Sequence, residues 1–532
     1  MTELKQDSAY LPFAYRNFTL LWVASLISNI GTWMHSVGAG WLMTTLEPSP
    51  LMVALVQTAT TLPVFFFALP AGALADLFDR QRILLWSNIA LLLTATGFAL
   101  VVYMEWQSGP LLLLFSALLG TGAAFTAPAW QAVVPQLVPK HALPQAVALG
   151  GISINLSRAI GPALAGLLIS AFGFATPFVL NGLSFGAVIF ALIWWGRNRE
   201  RATDEKSSLP PEQIVGAMAT GLRYARFSRP LLATMAHMFG FMLFANSFWS
   251  LLPLLAKQQL NTDAQGFGLL MAMVGAGAVL GGLALPKLRS WCKPNQIMAI
   301  GAFGIALNMG LFAVNQLQWL AFGASAVFGF CWTMVLSTLH VSAQQALPNW
   351  VRARGLAVYM MVFFGGLSLG AAIWGYLGQL AGLQTSLLTA AVGLALFTIV
   401  TYGIELQQAQ AMDLRPANAW QAPRVEQSPA ENAGPVVVQL EYLIEVADRA
   451  TFLALMKRVQ TIRQREGAYN WSVFEDLALP GRFYEQFMER SWIAHLRHHE
   501  RVSKADLDLY TQVKALHADD LEVRARHFIT LV

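Results

Sequence analysis

The sequence predicts an all-α membrane protein with twelve transmembrane helices in two six-helix halves, followed by a small α+β domain of ferredoxin-like element order. Composition is the first of three observations behind this prediction: 56% of the 532 residues are hydrophobic and only 12% are charged, with a mean hydropathy of +0.51. Soluble domains carry about 25% charged residues, so this chain is not an ordinary soluble protein. The other two observations are the lengths of the apolar runs and the placement of basic residues between them.

Twelve apolar runs are long enough to cross a bilayer, which takes about 20 residues of helix. They lie at 18–44, 51–74, 83–104, 110–135, 144–171, 175–196, 230–255, 266–286, 295–314, 318–344, 355–380 and 384–406. The first run is too long for the apolar part of a cleavable signal peptide, so no such signal is predicted. Two cysteines, Cys292 and Cys331, cannot form a disulfide framework.

The loops between these runs differ sharply in basic residues. One set contains Arg80, Arg82, Lys140, Arg197, Arg199, Arg201, Lys206, Arg223, Arg226, Arg229, Lys287, Arg289, Lys293, Arg352 and Arg354. The opposite set contains Lys257 alone. Because basic loops stay in the cytoplasm, this pattern predicts a multi-pass protein of a bacterial inner membrane with both termini cytoplasmic. The net charge of +5 then reflects topology, and no nucleic acid partner is predicted.

An internal repeat divides the apolar part of the chain. A shift of 281 − 72 = 209 residues aligns Gly72 with Gly281, Arg80 with Arg289, Gly120 with Gly329, Gln136 with Gln345, Pro139 with Pro348, Ala148 with Ala357, Gly161 with Gly370, and Gly166 with Gly375. A constant offset predicts two halves in parallel repeat around a central cavity. The predicted divisions are a first half at 1–196, a central cytoplasmic loop at 197–229, a second half at 230–408, a linker at 409–434 and a cytoplasmic domain at 435–532.

The C-terminal domain, called the tail here, has globular composition. Strands are expected at 436–444, 471–476, 483–490 and near Phe528, and helices at 449–466, 492–500 and 505–518. This β-α-β-β-α-β order is the ferredoxin-like pattern.

A short polar segment, Gly72-Ala-Leu-Ala-Asp76-Leu-Phe-Asp79-Arg80-Gln-Arg82, separates the second and third apolar runs. Its small residues are expected to make the turn. Its carboxylates and guanidinium groups can pair with each other or with the ends of neighbouring helices. We interpret the segment as a gate element of a membrane transporter.

Gly72-x-Leu-Ala-Asp76-x-x-x-Arg80-x-Arg82 resembles the loop-2/3 motif of the Major Facilitator Superfamily. It departs from that motif at Leu77, where the family often has a basic residue, and at Asp79, where it often has glycine. Gly161-Pro162-Ala-Leu-Ala-Gly166 is similar to the Gly-Pro motif of the superfamily's exporters. The whole chain resembles the transmembrane secretion effector group of enterobactin-exporter-like transporters. That resemblance is carried by the segments 28–34, 156–162, 463–468 and 491–498.

The resemblance implies a secondary active transporter, most simply an exporter of small amphipathic or anionic compounds of siderophore or drug-like kind, working by alternating access. The gating residues it implies are Gly72, Asp76, Arg80, Arg82, Gly161, Pro162 and Gly166. Asp76 is expected to accept from free N–H groups at the start of the eleventh helix, near Arg354 and Gly355. Arg80 and Arg82 could instead only fix the orientation of the chain in the membrane. Gly161, Pro162 and Gly166 could instead only serve helix packing.

Arg158 is the sharpest substrate-binding candidate. It lies mid-helix in an uncharged segment, where a cation costs at least about 2.5–3.5 kcal/mol. The predicted spans contain no Asp or Glu except Glu405 at the very end of the last one. An anionic substrate would supply the missing counter-charge; the alternative is pairing with backbone carbonyls or with Asn155.

Further polar and aromatic residues of the spans are candidates for lining the cavity. They are Asn29, His35, Trp130, Gln131, His237 and His340, with Gln57 and Asn246 as additional possibilities. Histidine titrates near neutrality, so the three histidines leave a proton as a candidate coupling ion, although each could equally be a packing residue. The absence of carboxylates from the spans weighs against proton coupling.

The tail resembles antibiotic-biosynthesis-monooxygenase-like domains, which often pair as dimers, so self-association through the tail is one expected partner interaction. His495, His498 and His499 share a helical face and invite a metal site, but a solvated helix is the preferred interpretation, and neither a metal nor a cofactor is predicted. No catalytic residues can be assigned, so the chain is not predicted to be an enzyme. The alternative hypothesis is a membrane-tethered monooxygenase-like enzyme. A non-transporting receptor is disfavoured, because it gives no reason for a gate segment.

Overall fold

The computed structural model describes residues 10–197, 214–406, 413–417, 429–430, 432–518 and 523–531. The side chains of Asp76, Leu77, Lys140, Ile214 and Val215 lie outside this description, as do the predicted loop residues Arg199, Arg201 and Lys206. The chain divides into two compact units. Unit 1 comprises Met1–Asp204, Thr234–Val341 and Tyr359–Leu406, and unit 2 comprises Glu205–Ala233, Ser342–Val358 and Gln407–Val532.

The part before the tail consists, in its described length up to residue 401, of helices joined by short loops. Its α-helices are α1 Arg16–Leu46, α2 Pro50–Leu77, α3 Arg80–Tyr103, α4 Gly109–Leu137, α5 Leu143–Phe172, α6 Ala175–Arg197, α7 Ile214–Phe227, α8 Arg229–Leu254, α9 Ala264–Trp291, α10 Pro294–Val314, α11 Gln318–Gln345, α12 Arg352–Ala381 and α13 Leu383–Thr401. Their ends lie within a few residues of the predicted runs, because an apolar segment in a bilayer must satisfy its backbone internally.

Eleven helices among the described residues are long and apolar enough to span a membrane: α2 to α6 and α8 to α13, with α8 continuing to Gln259. Helix α1 has 31 residues but is not one of the eleven, because its Asn, Ser, Thr and His side chains lower its hydropathy. Helix α7 falls inside the predicted central loop. It has 14 residues and is amphipathic, too short to span a bilayer.

Local sequence explains where several helices begin. The Ser49 side chain accepts from the backbone N–H of Met52 and Pro50 opens α2, while Asp79 caps α3 and Asp263 caps α9 in the same way. Two turns follow the repeat. Gly173 after α5 has φ +83° and Gly382 after α12 has φ +88°, and they are 382 − 173 = 209 residues apart. Both copies of the repeat therefore have a glycine at the same position, where the backbone adopts a left-handed φ that glycine tolerates.

Packing within unit 1 follows the same offset. A Cβ atom added at Gly161 of α5 would lie 2.6 Å from Cβ of Trp33 on α1. One added at Gly370 of α12 would lie 3.1 Å from the carbonyl oxygen of Met242 on α8. Gly370 follows Gly161, and Met242 follows Trp33, by 209 residues. Corresponding helices thus pack through corresponding glycines, which supports the predicted parallel repeat.

The tail contains β1 Val436–Leu443, α14 Arg449–Glu466, β2 Tyr469–Glu475, β3 Arg482–Glu489, α15 Trp492–Arg501, α16 Lys504–Lys514 and β4 Arg524–Ile529. The strands form one antiparallel sheet in the order β2-β3-β1-β4. Along β3, alternate residues are buried, and two of them are Glu485 and Glu489. Strand periodicity thus directs two carboxylates, with Phe483 and Phe487, to the buried face of the sheet.

Candidate functional site

Arg158 on α5 is held beside an aromatic ring rather than a carboxylate. Its guanidinium carbon lies 5.5 Å from the centroid of the Trp33 ring on α1. Its Nε atom is buried and has no hydrogen-bond partner among the described residues. A cation–π contact of this kind stabilises the charge by about 0.5–2 kcal/mol, less than the cost of placing the cation in a bilayer. The side chain therefore keeps most of its capacity to bind an anion.

The neighbours of Arg158 follow from helix geometry. Asn29 precedes Trp33 by one turn of α1 and is half-buried on the same side of that helix. Asn155 donates to the carbonyl oxygen of Gly151 on its own helix, at 3.0 Å. Among the described residues no hydrogen bond joins Arg158 to Asn155, so the alternative in which Asn155 satisfies Arg158 is not what the structure contains. Trp33 could have been found in the sequence as an aromatic residue near Asn29, but only the packing of α1 on α5 places it under the guanidinium group.

The predicted cavity-lining role of His35 is not supported. Its buried ring lies 4.8 Å from the ring of Phe178 and 6.0 Å from that of Phe98, centroid to centroid. These rings belong to the apolar core between α1, α3 and α6. His35 therefore packs inside the first half, because the helix face that carries it is turned toward α3 and α6.

The other two histidines each contact a backbone carbonyl oxygen. His237 is buried in α8 and its Nε2 lies 3.2 Å from the carbonyl oxygen of Thr401 at the end of α13. The Nδ1 of His340 lies 2.8 Å from the carbonyl oxygen of Leu336 on its own helix, and its ring packs edge-on against Tyr359. The structure does not bring the three histidines together as a relay: each contacts a different part of the bundle.

Trp130 and Gln131 are adjacent on α4 but have different surroundings. Trp130 is partly buried against the apolar cluster of α1, α4, α5 and α6 that includes Leu21 and Leu149. Gln131 is exposed. Asn246 is fully buried, and its Nδ2 donates to the carbonyl oxygen of Leu367 at 2.7 Å. Gln131 therefore retains an exposed polar group for a solute, whereas the amide nitrogen of Asn246 is engaged within the bundle.

Helix α5 packs very closely on α9 of the other half. Cβ atoms added at Gly166 and at Gly268 would lie 2.5 Å from the carbonyl oxygen of Ala264 and 2.6 Å from that of Pro162. The equivalent glycine of the second half behaves alike: a Cβ at Gly375 of α12 would lie 2.5 Å from Cβ of Ala54 on α2. Pro162 and Gly166 thus lie at an interface between halves, where the glycine leaves no room for a side chain, whereas Gly161 packs on Trp33 within the first half.

Polar contacts join the halves near the same ends of the helices. Thr61 of α2 and Ser368 of α12 share a hydrogen bond of 2.7 Å between their hydroxyls, and Ser49 donates to Oε1 of Gln379 at 3.0 Å. Lys257 donates to the carbonyl oxygen of Thr44 at 2.9 Å. Lys257 is the one Lys or Arg in the loops on that side. These contacts therefore close unit 1 on the side opposite the basic loops.

The segment between α2 and α3 differs in detail from its prediction. Gly72 lies inside α2, which continues to Leu77, and no atom lies within 4 Å of a Cβ built there. The small residues do not make the bend, which consists of Phe78 and Asp79. Asp76 lies in the last turn of α2, and its side chain is among those outside the described part. Its expected contact with Arg354 and Gly355 remains a prediction.

The two arginines of this segment have different surroundings. Arg80 donates from Nε to the carbonyl oxygen of Ala75 and from Nη1 to that of Ala132 on α4, both at 3.4 Å. It thereby joins the end of α2 to α4. Arg82 is exposed, and its backbone N–H donates to the Oδ1 of Asp79, the N-cap of α3, at 3.1 Å. Asp79, which departs from the family motif, thus starts the next helix.

In unit 2, the tail contains a buried network of charged side chains. Arg463 of α14 donates to Glu485 of β3, with Nε 2.9 Å from Oε1, and both are almost fully buried. Tyr442 and Trp471 donate to the same carboxylate at 3.0 Å each. Burying a pair of charges is tolerated where further hydrogen bonds satisfy the carboxylate, as here.

The second buried carboxylate, Glu489, binds two histidines of α15. Its Oε2 lies 2.7 Å from Nδ1 of His495 and its Oε1 lies 2.5 Å from Nδ1 of His498. Burial alone would raise the pKa of the Glu489 carboxyl, but His498 and His495 hold it below its ordinary value. The expectation of a solvated helix face is wrong for both histidines, because β3 turns Glu489 toward α15.

Two further arginines of the tail contact segments that lie between membrane helices. Arg465 pairs with Asp506 at 2.6 Å, and its guanidinium carbon lies 5.3 Å from the ring centroid of Tyr224 on α7. Arg501 at the end of α15 lies 4.4 Å from the ring centroid of Trp350. Tyr224 is buried and donates to the carbonyl oxygen of Ala346, between α11 and α12, at 3.2 Å. All these residues belong to unit 2.

A bundle of spanning helices in two repeated halves, with glycine-mediated contacts between the halves and a cation inside one span, defines a multi-pass membrane transporter. The chain belongs to the family described as transmembrane secretion effector, whose model matches residues 7–532, tail included. Similar proteins include the staphyloferrin A transporter of Staphylococcus aureus, 24% identical over 72% of this chain and 94% of that protein. The enterobactin exporter of Salmonella typhi is 25% identical over 72% of this chain and 91% of that protein.

Solved structures of transporters share the fold of the membrane part. A POT family transporter in complex with 5-aminolevulinic acid superposes with a TM-score of 0.60, at 11% identity, over 72% of this chain and 95% of its own. A bacterial homologue of the human lysosomal transporter Spinster, in an inward-facing and unoccupied conformation, gives 0.56 at 15% identity over 73% and 97%. At such identities the likeness concerns the fold alone.

Proposed function

We propose that this protein exports small anionic compounds of the siderophore class across a bacterial inner membrane, as a secondary active transporter working by alternating access. The observation that carries the proposal is the Nε of Arg158, buried in a membrane helix without a hydrogen-bond partner in the part of the chain that the structure describes. A bound anion would satisfy this group and offset the cost of the cation. Staphyloferrin A and enterobactin, named for two relatives, are siderophores and guide the choice of substrate.

The domain arrangement belongs to the same proposal. Helix α1 is taken as a twelfth span, so that α1–α6 and α8–α13 form the two halves at 1–196 and 230–408, joined by the loop 197–229, with the linker 409–434 leading to a cytoplasmic, ferredoxin-like tail at 435–532. The basic loops then face the cytoplasm. In this proposal the close contacts at Gly166 and Gly375 lie on the periplasmic side and hold it closed.

Alternating access requires the close contacts on the periplasmic side to open. The contacts of Gly166 with Ala264 and of Gly375 with Ala54 are made by small residues. The two helices at each contact can therefore separate without breaking an ion pair. On the cytoplasmic side, Asp76 is the proposed partner of the α12 N-terminus in the other state. Asp76→Asn keeps the shape of the side chain and removes its charge, so it should slow export without altering the amount of folded protein. Unchanged export would remove Asp76 from the gate.

The tail is proposed to act as a regulatory module rather than as an enzyme. Its Arg465 and Arg501 contact Tyr224 and Trp350, which belong to the segments that enter α8 and α12. The comparisons give no support to the monooxygenase alternative, and in the tail Trp492 and His495 pack on each other with 5.5 Å between ring centroids. Proton coupling through His35, His237 or His340 finds no structural support, so the coupling ion is a matter for the transport assay.

The decisive experiment is transport by the purified full-length protein in liposomes. Enterobactin, staphyloferrin A and a neutral lipophilic dye are offered under an imposed proton gradient and under none. We expect movement of at least one siderophore, faster with the gradient if protons are the coupling ion and equal in both if they are not. Failure of every anionic compound, with the dye transported, would overturn the substrate class; failure of all three would count against export itself.

A further inference from the structure

A cluster of three histidines in the tail is arranged to receive a metal ion. His495 and His499 are four residues apart on α15, which places both on one helix face, and His527 projects from β4. One ring nitrogen of each lies within 4.8 Å of the others. The ring centroid of His495 lies 4.7 Å from that of His499 and 4.7 Å from that of His527. Two elements distant in sequence therefore supply the three imidazoles.

His495 is already oriented as metal-binding histidines are. Its Nδ1 is engaged by the Glu489 carboxylate at 2.7 Å, which assigns the proton to Nδ1 and leaves the lone pair on Nε2. That Nε2 is buried and has no hydrogen-bond partner among the described residues. A carboxylate on the far nitrogen of a histidine is the usual outer-sphere partner of a metal ligand. A buried acceptor without a donor otherwise costs about 1–3 kcal/mol.

We propose that His495, His499 and His527 form a site for one divalent transition metal ion of the Zn²⁺ or Fe²⁺ kind, with Glu489 positioning His495. Imidazole nitrogens suit such ions, whereas Mg²⁺ and Ca²⁺ require oxygen ligands. Both cysteines of the chain lie outside the tail, so no thiolate joins the set. Three protein ligands leave a fourth position for water or for a further ligand.

To bind a metal ion, the three histidine rings must move closer together. Nitrogens around a tetrahedral Zn²⁺ at about 2.0–2.1 Å lie about 3.4 Å apart, so the rings must approach by about 1 Å or slightly more. His499 and His527 are only partly buried, so the movement is assigned to their side chains. His495 stays fixed by Glu489. The site would therefore tie α15 to β4, an edge strand of the sheet that pairs with β1 alone.

The test uses full-length protein in detergent, with any polyhistidine tag removed and metal stripped by a chelator. Zn²⁺ is titrated against a competing chromophoric chelator, with Mg²⁺ as a comparison ion. We expect one Zn²⁺ per chain and affinity reduced by about tenfold or more in His499→Ala and in His527→Ala. His141→Ala, an exposed histidine outside the tail, is the matched control and should bind as the native protein does.

A second measurement does not depend on variants that fold poorly. Co²⁺ added to the native protein should give the intense visible absorption of a four-coordinate site, and Zn²⁺ should abolish it. Glu489→Gln should still bind but more weakly, by about 10- to 100-fold, since it loses the outer-sphere carboxylate. The proposal is overturned if no stoichiometric Zn²⁺ binds, if Co²⁺ remains octahedral in its spectrum, or if the His499 and His527 variants match the His141 control.

Discussion

The guanidinium group of Arg158 faces the ring of Trp33 across the α1–α5 interface, 5.5 Å from its centroid. A carboxylate at this position would have neutralised the cation and fixed it permanently. An aromatic ring orients the group while leaving its charge available. The tight packing of Gly161 on Trp33 explains why the ring is held there. This pair therefore gives the clearest structural argument for an anionic substrate.

Arg158→Gln should weaken export of an anionic substrate by about tenfold to a hundredfold, the equivalent of one charged hydrogen bond. Arg158→Lys keeps the charge but loses the planar contact with Trp33. Its export rate should therefore lie between those of the native protein and of Arg158→Gln. Initial rates against substrate concentration in liposomes measure both. Arg197→Gln, at an exposed arginine outside the gate segment, is the control; equal loss in that variant would mean that net charge rather than position matters.

Gly166→Leu should disfavour the state in which the periplasmic side is closed. Overpacking costs about 1–3 kcal/mol, enough to reduce the closed population by about tenfold. Ser49→Cys with Gln379→Cys, in a background without Cys292 and Cys331, reports closure by the yield of a short thiol cross-link. Gly150→Ala on the same helix meets no atom within 4 Å and should leave the yield unchanged. A high yield in Gly166→Leu would refute the assignment.

Arg465→Met should loosen α7 from the tail, because it removes the cation facing Tyr224 and leaves Asp506 without its arginine. Hydrogen exchange in α7 should accelerate. Arg458→Met changes an exposed arginine of the same helix and should leave that exchange unaltered. If the export rate changes in step with α7 exchange, the tail regulates transport; if exchange accelerates and export stays constant, the tail has another role.

Acid should destabilise the tail through His527. The pKa of His527 is lowered to about 4, against 6.5 in an unfolded chain. Burial is the larger cause, and the neighbouring His495 is the second. Between these values the unfolded state binds the additional proton, so stability falls as pH drops from about 6.5 toward 4. Hydrogen exchange of β4 and α15, corrected for intrinsic rates and measured with chelator present, should rise over this window. His527→Asn should flatten the response, and an unchanged response in that variant would contradict the assignment to His527.

Asp79→Ala should cost about 1 kcal/mol at the start of α3, since the N-cap carboxylate is lost, whereas Asp79→Asn should be close to neutral. Exchange in the first turn of α3 measures the difference. Comparing the Asp79 variants with Asp76→Asn distinguishes the roles of the two acids. Asp79 acts on helix formation, whereas Asp76→Asn is expected to act on export. If Asp79→Asn impaired export as strongly as Asp76→Asn, the two roles would have been assigned wrongly.

The spanning helices could be located from sequence because a bilayer leaves a 20-residue apolar run no alternative to a helix. The amphipathic α7 was missed, since a 14-residue segment in a polar loop lacks that constraint. Among the described residues eleven of the predicted spans are helices long and apolar enough to cross a membrane, while α1 as a twelfth span remains a prediction. The metal ligands could not have been assembled from sequence, because His527 is separated from His495 by α16 and a turn.

What the sequence by itself determined is the membrane class, the positions of the helices, the sidedness expected from basic loops, and the 209-residue repeat. These properties depend on residue type and spacing along one segment. Only the tertiary structure decided that Arg158 faces Trp33, that His35 packs on Phe98 and Phe178, that Gly166 meets Ala264, and that Glu489 turns His495 toward His527. Each of these depends on which face of a helix or strand meets another, and a face is chosen by packing between residues far apart in the chain.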